Sequence, residues 1–265
     1  MFLETPVSIS FSGSGFMATY QLGVAQCFLN YAPWILKNAP CVFGASAGSL
    51  VAAMLHFAKQ VKAFRFGPLN PSINVFHWLE QLLRKYLSED DHKLACGRLA
   101  VAMTSLEDGK NIITTEYHSK EDIVQVSLVN TGKSCRIFTS APYCHHLTIL
   151  LPYWLWFQYY VDGGFTGMVP AHSQCPTLTV CPFSGDMDIC PADAPCLFEM
   201  VVSGTTLKAN GANCGRVINA LYPTTLESLE EAYDRGYKDA IHFLLRNGES
   251  GACKTMIIKR IVFQT

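Results

Sequence analysis

Within its first 60 residues the chain runs twice through the same pattern: a short apolar strand, a turn of very small residues, and a long helix. Val7 to Phe11 alternates and is rich in β-formers, then meets Ser12-Gly13-Ser14-Gly15, a turn that only small residues allow. Phe16 to Tyr31 follows without proline and reads as a buried helix. Cys41-Val42-Phe43 is a second strand, broken by Gly44-Ala45-Ser46-Ala47-Gly48, and Leu50 to Lys59 reads as a second helix. Two successive strand–helix units imply parallel strands joined by right-handed crossovers, so the chain begins an α/β sheet.

Further along, Val75, Phe76, Leu79, Leu82, Leu83, Tyr86 and Leu87 recur at helical spacing and predict a core-facing helix. Arg98 to Leu106, the Asp108-Gly109 turn and Asn111 to His118 predict a hairpin. Ser119-x-x-Asp122 predicts a capped helix start, and Thr224-x-x-Glu227 opens a long helix that ends at Asn247-Gly248. Residues beyond Glu249 read as a tail.

Gly44-x-Ser46-x-Gly48 between strand and helix has the form of a nucleophile elbow, in which small neighbours let the serine oxygen rise clear of the sheet. Gly13 to Gly15 ends the preceding strand. If the two strands are neighbours, both turns leave the same sheet edge, and the amides from Gly13 onward face Ser46 as an oxyanion hole requires. The rival reading of Gly13-x-Gly15-x-x-Ala18 is a dinucleotide fingerprint, which needs an acidic residue about 20 positions on. No Asp or Glu occurs between Glu4 and Glu80, and that reading fails. The elbow also comes too early for the several strands an α/β-hydrolase places ahead of its nucleophile. A Ser–His–Asp order through His172 or His242 remains an alternative without local support. Asp162-Gly163-Gly164 is the third small-residue turn and carries a carboxylate that could approach another loop closely.

Composition bears on the surroundings of such a site. Charged residues are 15% of the chain and hydrophobic ones 49%, against about a quarter charged in an ordinary soluble domain. Apolar surface therefore has to meet something, and lipid is one candidate. The net charge of −1 gives no push toward nucleic acid. The 11 cysteines are odd in number and follow no zinc spacing, so they read as reduced thiols with no metal site. Leu147 to Val161 is apolar but interrupted by Pro152 and shorter than the roughly 20 residues a membrane span needs.

Taken together, Ser12-Gly13-Ser14-Gly15-Phe16, Gly44-Ala45-Ser46-Ala47-Gly48 and Asp162-Gly163-Gly164, in that order, resemble the patatin-like phospholipase family. Phe66-Gly67-Pro68-Leu69, Asp108-Gly109-Lys110-Asn111, Pro182-Phe183-Ser184-Gly185, Asp188-Ile189-Cys190-Pro191 and Gly236-Tyr237-Lys238-Asp239 look like its animal subgroup, which includes adipose triglyceride lipase and adiponutrin. The resemblance implies a three-layer α/β/α fold with a mainly parallel central sheet and a C-terminal helical extension. It divides the chain into a catalytic domain at 7–176, an extension packed on it at 177–248, and a tail at 249–265. It further implies a Ser46–Asp162 dyad without cofactor, with Gly13, Ser14 and Gly15 as the oxyanion hole, Gly44 and Gly48 shaping the elbow, and Gly163 and Gly164 the turn after the base. The implied activity is hydrolysis of acylglycerol (triacylglycerol lipase) or phospholipid esters, at membranes or lipid droplets on the cytoplasmic side, with room for a protein co-activator. Two segments depart from the family pattern. Residues 51–66 are shortened, and in 126–160 only Pro142-Tyr143-Cys144 corresponds. A lipid-surface binding protein with an impaired site is therefore the alternative expectation.

Overall fold

The computed structural model describes residues 6–56, 81, 83–85, 87–130, 135–138, 157–171, 176–222 and 225–247. Strand β1 (Ser8–Phe11) leads through a 3-10 turn (Gly15–Met17) into α1 (Ala18–Tyr31) and α2 (Pro33–Asn38). Strand β2 (Val42–Gly44) leads into α3 (Ala47–His56). Then come α4 (Asp91–Ala95), the hairpin of β3 (Leu99–Ser105) and β4 (Asn111–Thr114), and α5 (Lys120–Val129). Strand β5 (Cys135–Phe138) is followed by β6 (Phe157–Asp162), a second 3-10 turn (Gly163–Phe165) and β7 (Thr177–Val180). The chain continues as β8 (Glu199–Val202), β9 (Thr205–Lys208), α6 (Gly211–Leu221) and α7 (Leu226–Asn247).

The first seven strands form one sheet in the order β5-β6-β3-β2-β1-β7, with β4 also on β3, while β8 and β9 pair separately. Neighbours β7, β1, β2 and β3 are parallel, as the early strand–helix repeat requires, and β4, β5 and β6 join antiparallel. Every residue of β1, β2 and β3 is buried, so this part of the sheet is covered on both faces. Ile9, Phe11, Phe28, Leu50, Leu99 and Ile123 form the heart of the core between sheet and helices.

One register detail decides where the site falls. Val101 of β3 pairs with both Gly44 of β2 and Thr114 of β4, while Met103 pairs with both Asp162 of β6 and Ile112 of β4. A strand has only two edges, so β4 occupies one of them and β2 and β6 share the other end to end. β2 runs parallel to β3 and β6 antiparallel, so their C-terminal ends point at each other two residues apart. The turn after each strand therefore opens at the same place.

Just past the expected boundary at residue 176, β7, at Thr177–Val180, pairs with β1 along its whole length. The segment taken as an appended extension thus starts inside the central sheet. The capping box at Ser119 and Asp122 forms as the sequence reads. The cap of α7 lies one residue later than expected, with Thr225 Oγ1 accepting the Ser228 amide. α7 lies against α1 by mutual glycine contact. A Cβ on Gly23 would meet the Tyr233 carbonyl, and one on Gly236 would meet that of Tyr20. The Tyr20 hydroxyl donates to Asp239 at 2.9 Å beside this crossing. Of the predicted helix around Val75 to Leu87, Leu83 and Leu87 are buried in the core, and the remaining positions lie outside the described residues. Outside them too are Phe66 to Leu69, Pro142 to Cys144, His172 and the tail from residue 249. Among the described residues no helix is long and apolar enough to cross a membrane.

Candidate active site

The elbow places Ser46 at φ 51°, a left-handed conformation that ordinary side chains rarely adopt. Its neighbours explain how the strain is held. A Cβ on Gly48 would strike the carbonyls of Phe11 and Ser12, and one on Gly44 would strike the backbone of Ser49. Only glycine lets the elbow nest against the end of β1. On the far side of the turn, the Ser49 amide and hydroxyl both donate to the Ser46 carbonyl, at 2.9 and 2.7 Å, anchoring it to α3.

Ser46 Oγ donates to Asp162 Oδ2 at 2.6 Å. The other carboxylate oxygen, Oδ1, accepts the Gly164 amide at 2.7 Å, which fixes the plane of the carboxylate and turns Oδ2 toward the serine. Burial raises the Asp162 pKa above the usual carboxylate range, offset by the hydrogen bonds from Ser46 and Gly164. The turn carrying Asp162 is tied back to the hairpin. Thr104 Oγ1 donates to the Asp162 carbonyl at 2.8 Å, and Asn111 donates to Thr166 Oγ1 at 2.9 Å and to the Gly163 carbonyl at 3.3 Å. Asn111 belongs to the Asp108-Gly109-Lys110-Asn111 motif, whose place in the sequence is thereby explained.

The three small-residue turns meet around the serine. A Cβ built on Gly13 would lie 3.4 Å from Ser46 Cβ, and one on Gly164 would also lie 3.4 Å from it. Gly13 and Gly164 thus both lie close against the Ser46 side chain. The Gly13 amide, however, donates to the Met168 carbonyl at 2.8 Å and is committed to holding the loop rather than offered to a ligand. Buried Gln21 braces the same loop by donating to the Ser12 carbonyl at 2.9 Å and to its hydroxyl at 3.1 Å. The buried Ser14 hydroxyl has no hydrogen-bond partner among the described residues. His242 is exposed on α7 and makes no hydrogen bond to Ser46 among those described.

Asn130, just past the end of α5, was not legible in the sequence as part of this site. It is 1% exposed, and its Oδ1 accepts both the Ser46 amide at 3.1 Å and the Gly163 amide at 2.9 Å. Its Nδ2 donates to the Val126 carbonyl at 3.2 Å, which fixes the amide orientation. One side-chain oxygen therefore staples the elbow to the turn carrying Asp162. Asn130-Thr131-Gly132 reads as an ordinary helix stop, and that reading conceals the polar role. Gln21 was concealed in the same way, by an apolar helix around it.

Fold and site together define an α/β protein with a strained serine on a strand–helix elbow and a partly buried aspartate in hydrogen-bond contact with it. No protein-family model matches the chain. It is 36% identical over 260 residues to patatin-like phospholipase domain-containing protein 2 of Bos taurus, a match covering 92% of this chain and 51% of that protein. It is 35% identical over 259 residues to the omega-hydroxyceramide transacylase of Homo sapiens, covering 92% of the chain and 46% of the relative. With the 1-acylglycerol-3-phosphate O-acyltransferase Pnpla3 of Mus musculus the identity is 28% over 256 residues, covering 91% and 59%. Over 92% of its length the chain is homologous to the patatin-like phospholipase domain-containing proteins. It spans about half the length of these relatives.

Proposed function

We propose that the chain is a serine lipid acyl hydrolase that cleaves carboxylic esters of acylglycerols or phospholipids through Ser46 and Asp162. The observation carrying this reading is the 2.6 Å hydrogen bond from Ser46 Oγ to Asp162 Oδ2, made by a serine held at φ 51°. In the first half-reaction Asp162 Oδ2 takes the hydroxyl proton as Ser46 Oγ attacks the ester carbonyl. The tetrahedral oxyanion falls to the amides of Ser14 and Gly15, at the start of a 3-10 turn where first-turn amides have no acceptor within the turn. The Gly13 amide is left out because it is already bonded to Met168. Collapse breaks the bond to the leaving alcohol, which receives its proton from Asp162, and leaves an ester on Ser46. A water molecule then gives its proton to Asp162 and attacks that ester, releasing the fatty acid and restoring the hydroxyl.

An aspartate is a weak base at its ordinary pKa of about 3.9. The desolvation that raises the Asp162 pKa improves it for this task without a histidine. The names of two relatives carry transacylase or acyltransferase activity, which favours an alcohol competing with water for the acyl-enzyme. Triacylglycerol as the substrate, and a lipid droplet or membrane as the place of action, form the finer part of the proposal, together with any co-activator. The test is hydrolysis of a soluble short-acyl ester and labelling by a fluorophosphonate. Ser46→Ala should abolish both without changing the circular dichroism spectrum. Turnover that survives this change sinks the proposal.

A further inference from the structure

Two parts of the fold that take no part in the proposed chemistry touch the loops that flank Ser46. The C-terminal end of α6 abuts the turn after β1, since a Cβ on Gly15 would meet the Ala220 carbonyl. The tip of the β8–β9 hairpin abuts the turn after β6. There the Ser203 hydroxyl donates to the Phe165 carbonyl at 3.1 Å, and the Met168 amide donates to the Ser203 carbonyl at 3.2 Å. Both parts are apolar on their outer sides. α6 faces inward with Asn213, Val217 and Ala220, yet on its outer side Cys214, Ile218, Leu221 and Tyr222 recur at i, i+4, i+7 and i+8. Leu221 is 63% exposed and Tyr222 78%. On the hairpin, Val201 is 72% exposed, Phe165 beside its tip is 74% exposed, and Leu197 and Phe198 extend the apolar surface along the same segment. Single exposed hydrophobic residues need no explanation, but a set of them on both sides of one site does.

We propose that this rim, α6 together with the β8–β9 hairpin and Phe165, docks the Ser46 site onto a lipid–water interface of net-neutral, phosphatidylcholine type. The inference rests on the lipid-ester reading of the site and adds the partner surface. Charge selects the occupant. Between Leu197 and Tyr222 the charged side chains are Glu199, Lys208 and Arg216. The two cations are turned inward onto Asp193: Arg216 makes a paired contact with its carboxylate at 2.6 and 2.8 Å, and Lys208 donates to its carbonyl at 3.1 Å. The rim therefore offers no cation to an anionic headgroup and no ring of charge to a polar protein surface. Its aromatic members, Phe165, Phe198 and Tyr222, are of the type that settles at the headgroup level of lipid. A second copy of the chain seated here would cover the loops beside Ser46 in both protomers, whereas a lipid surface supplies ester through the contact itself.

The test is flotation of the full chain with phosphatidylcholine vesicles, repeated with phosphatidylserine added and across a salt series. Ile218→Gln/Leu221→Gln keeps charge and helix propensity, and Val201→Thr/Val202→Thr keeps β-branching in the hairpin, so each pair removes apolar surface from exposed positions. Each pair should weaken flotation about tenfold, given the apolar area it withdraws from lipid. Turnover of an emulsified long-chain ester should fall in parallel, while that of a soluble short-acyl ester stays unchanged. Wild-type binding should be indifferent to phosphatidylserine and to salt. Undiminished flotation of both double variants overturns the proposal, as does binding that demands phosphatidylserine, or a wild-type dimer that the variants dissociate. Ser46→Ala should float like wild type, so loss of chemistry and loss of docking are read separately.

Discussion

The site turns on how tightly one carboxylate and one amide are held. Burial raises the Asp162 pKa, so the folded protein binds that proton more strongly than the unfolded chain does. Stability is then highest below the unfolded pKa of about 3.9 and falls as pH rises toward the folded pKa. At neutral pH the ionised carboxylate is a cost to the fold that the proposed chemistry requires. Asp162→Asn should therefore be inactive yet melt no lower than wild type at neutral pH, and the difference should shrink in thermal scans below about pH 4. For the wild type, kcat/KM should rise with pH through a value above the ordinary carboxylate range. Asn130 is held by a different logic, one oxygen accepting two amides from separate loops. Asn130→Ala leaves the buried Gly163 amide and the part-buried Ser46 amide without this partner, a loss of about 1–3 kcal/mol for the first and less for the second. It should lower kcat far more than it raises KM, and Asn130→Asp should restore part of the melting temperature.

At the scale of elements, α1 and α7 can approach only because Gly23 and Gly236 are bare. Gly236→Val would drive its side chain into the Tyr20 carbonyl and should lower stability by 3 kcal/mol or more on the order set by overpacking, with the loss visible in urea unfolding. Substituting exposed Arg235 by alanine should cost less than about 1 kcal/mol, since its partner Asp239 lies one turn away on the same helix. Helices α1, α3, α5 and α7, strands β1 and β2 and the β3–β4 hairpin were legible because hydrophobic period and turn chemistry are local. The three glycine turns were legible for the same reason. What joins them was not. That β2 and β6 share one edge of β3 follows from two pairings, each across more than fifty residues, and no local pattern near Asp162 announces it. The pairing of β7 with β1, across a still longer stretch of chain, is non-local in the same way. Its four residues, Thr177–Val180, read the same whether they start an appendage or complete a sheet.

Across the whole molecule, the C-terminal half is woven into the first. β7 lies beside β1, the β8–β9 hairpin leans on the turn after β6, and α7 covers α1. Such an arrangement predicts that the two parts unfold together, and the cysteines offer a way to test this. Cys27, Cys96, Cys181 and Cys214 are free of disulfides. Cys96 and Cys214 are exposed, whereas Cys27 on α1 and Cys181 just after β7 are buried. Burial pushes the Cys27 thiol up to about 12 and the Cys181 thiol up to about 11, so neither offers thiolate to a reagent at neutral pH while the fold is closed. Cys96 and Cys214 should modify within the reagent's own reaction time. Cys27 and Cys181, one on each side of the expected domain boundary, should modify slowly and at the same rate, because both need the same global opening. Adding urea below the transition should speed the two in step. If Cys181 were labelled much faster than Cys27, the segment from Thr177 onward would open on its own, and the division at residue 176 would hold as a boundary of stability.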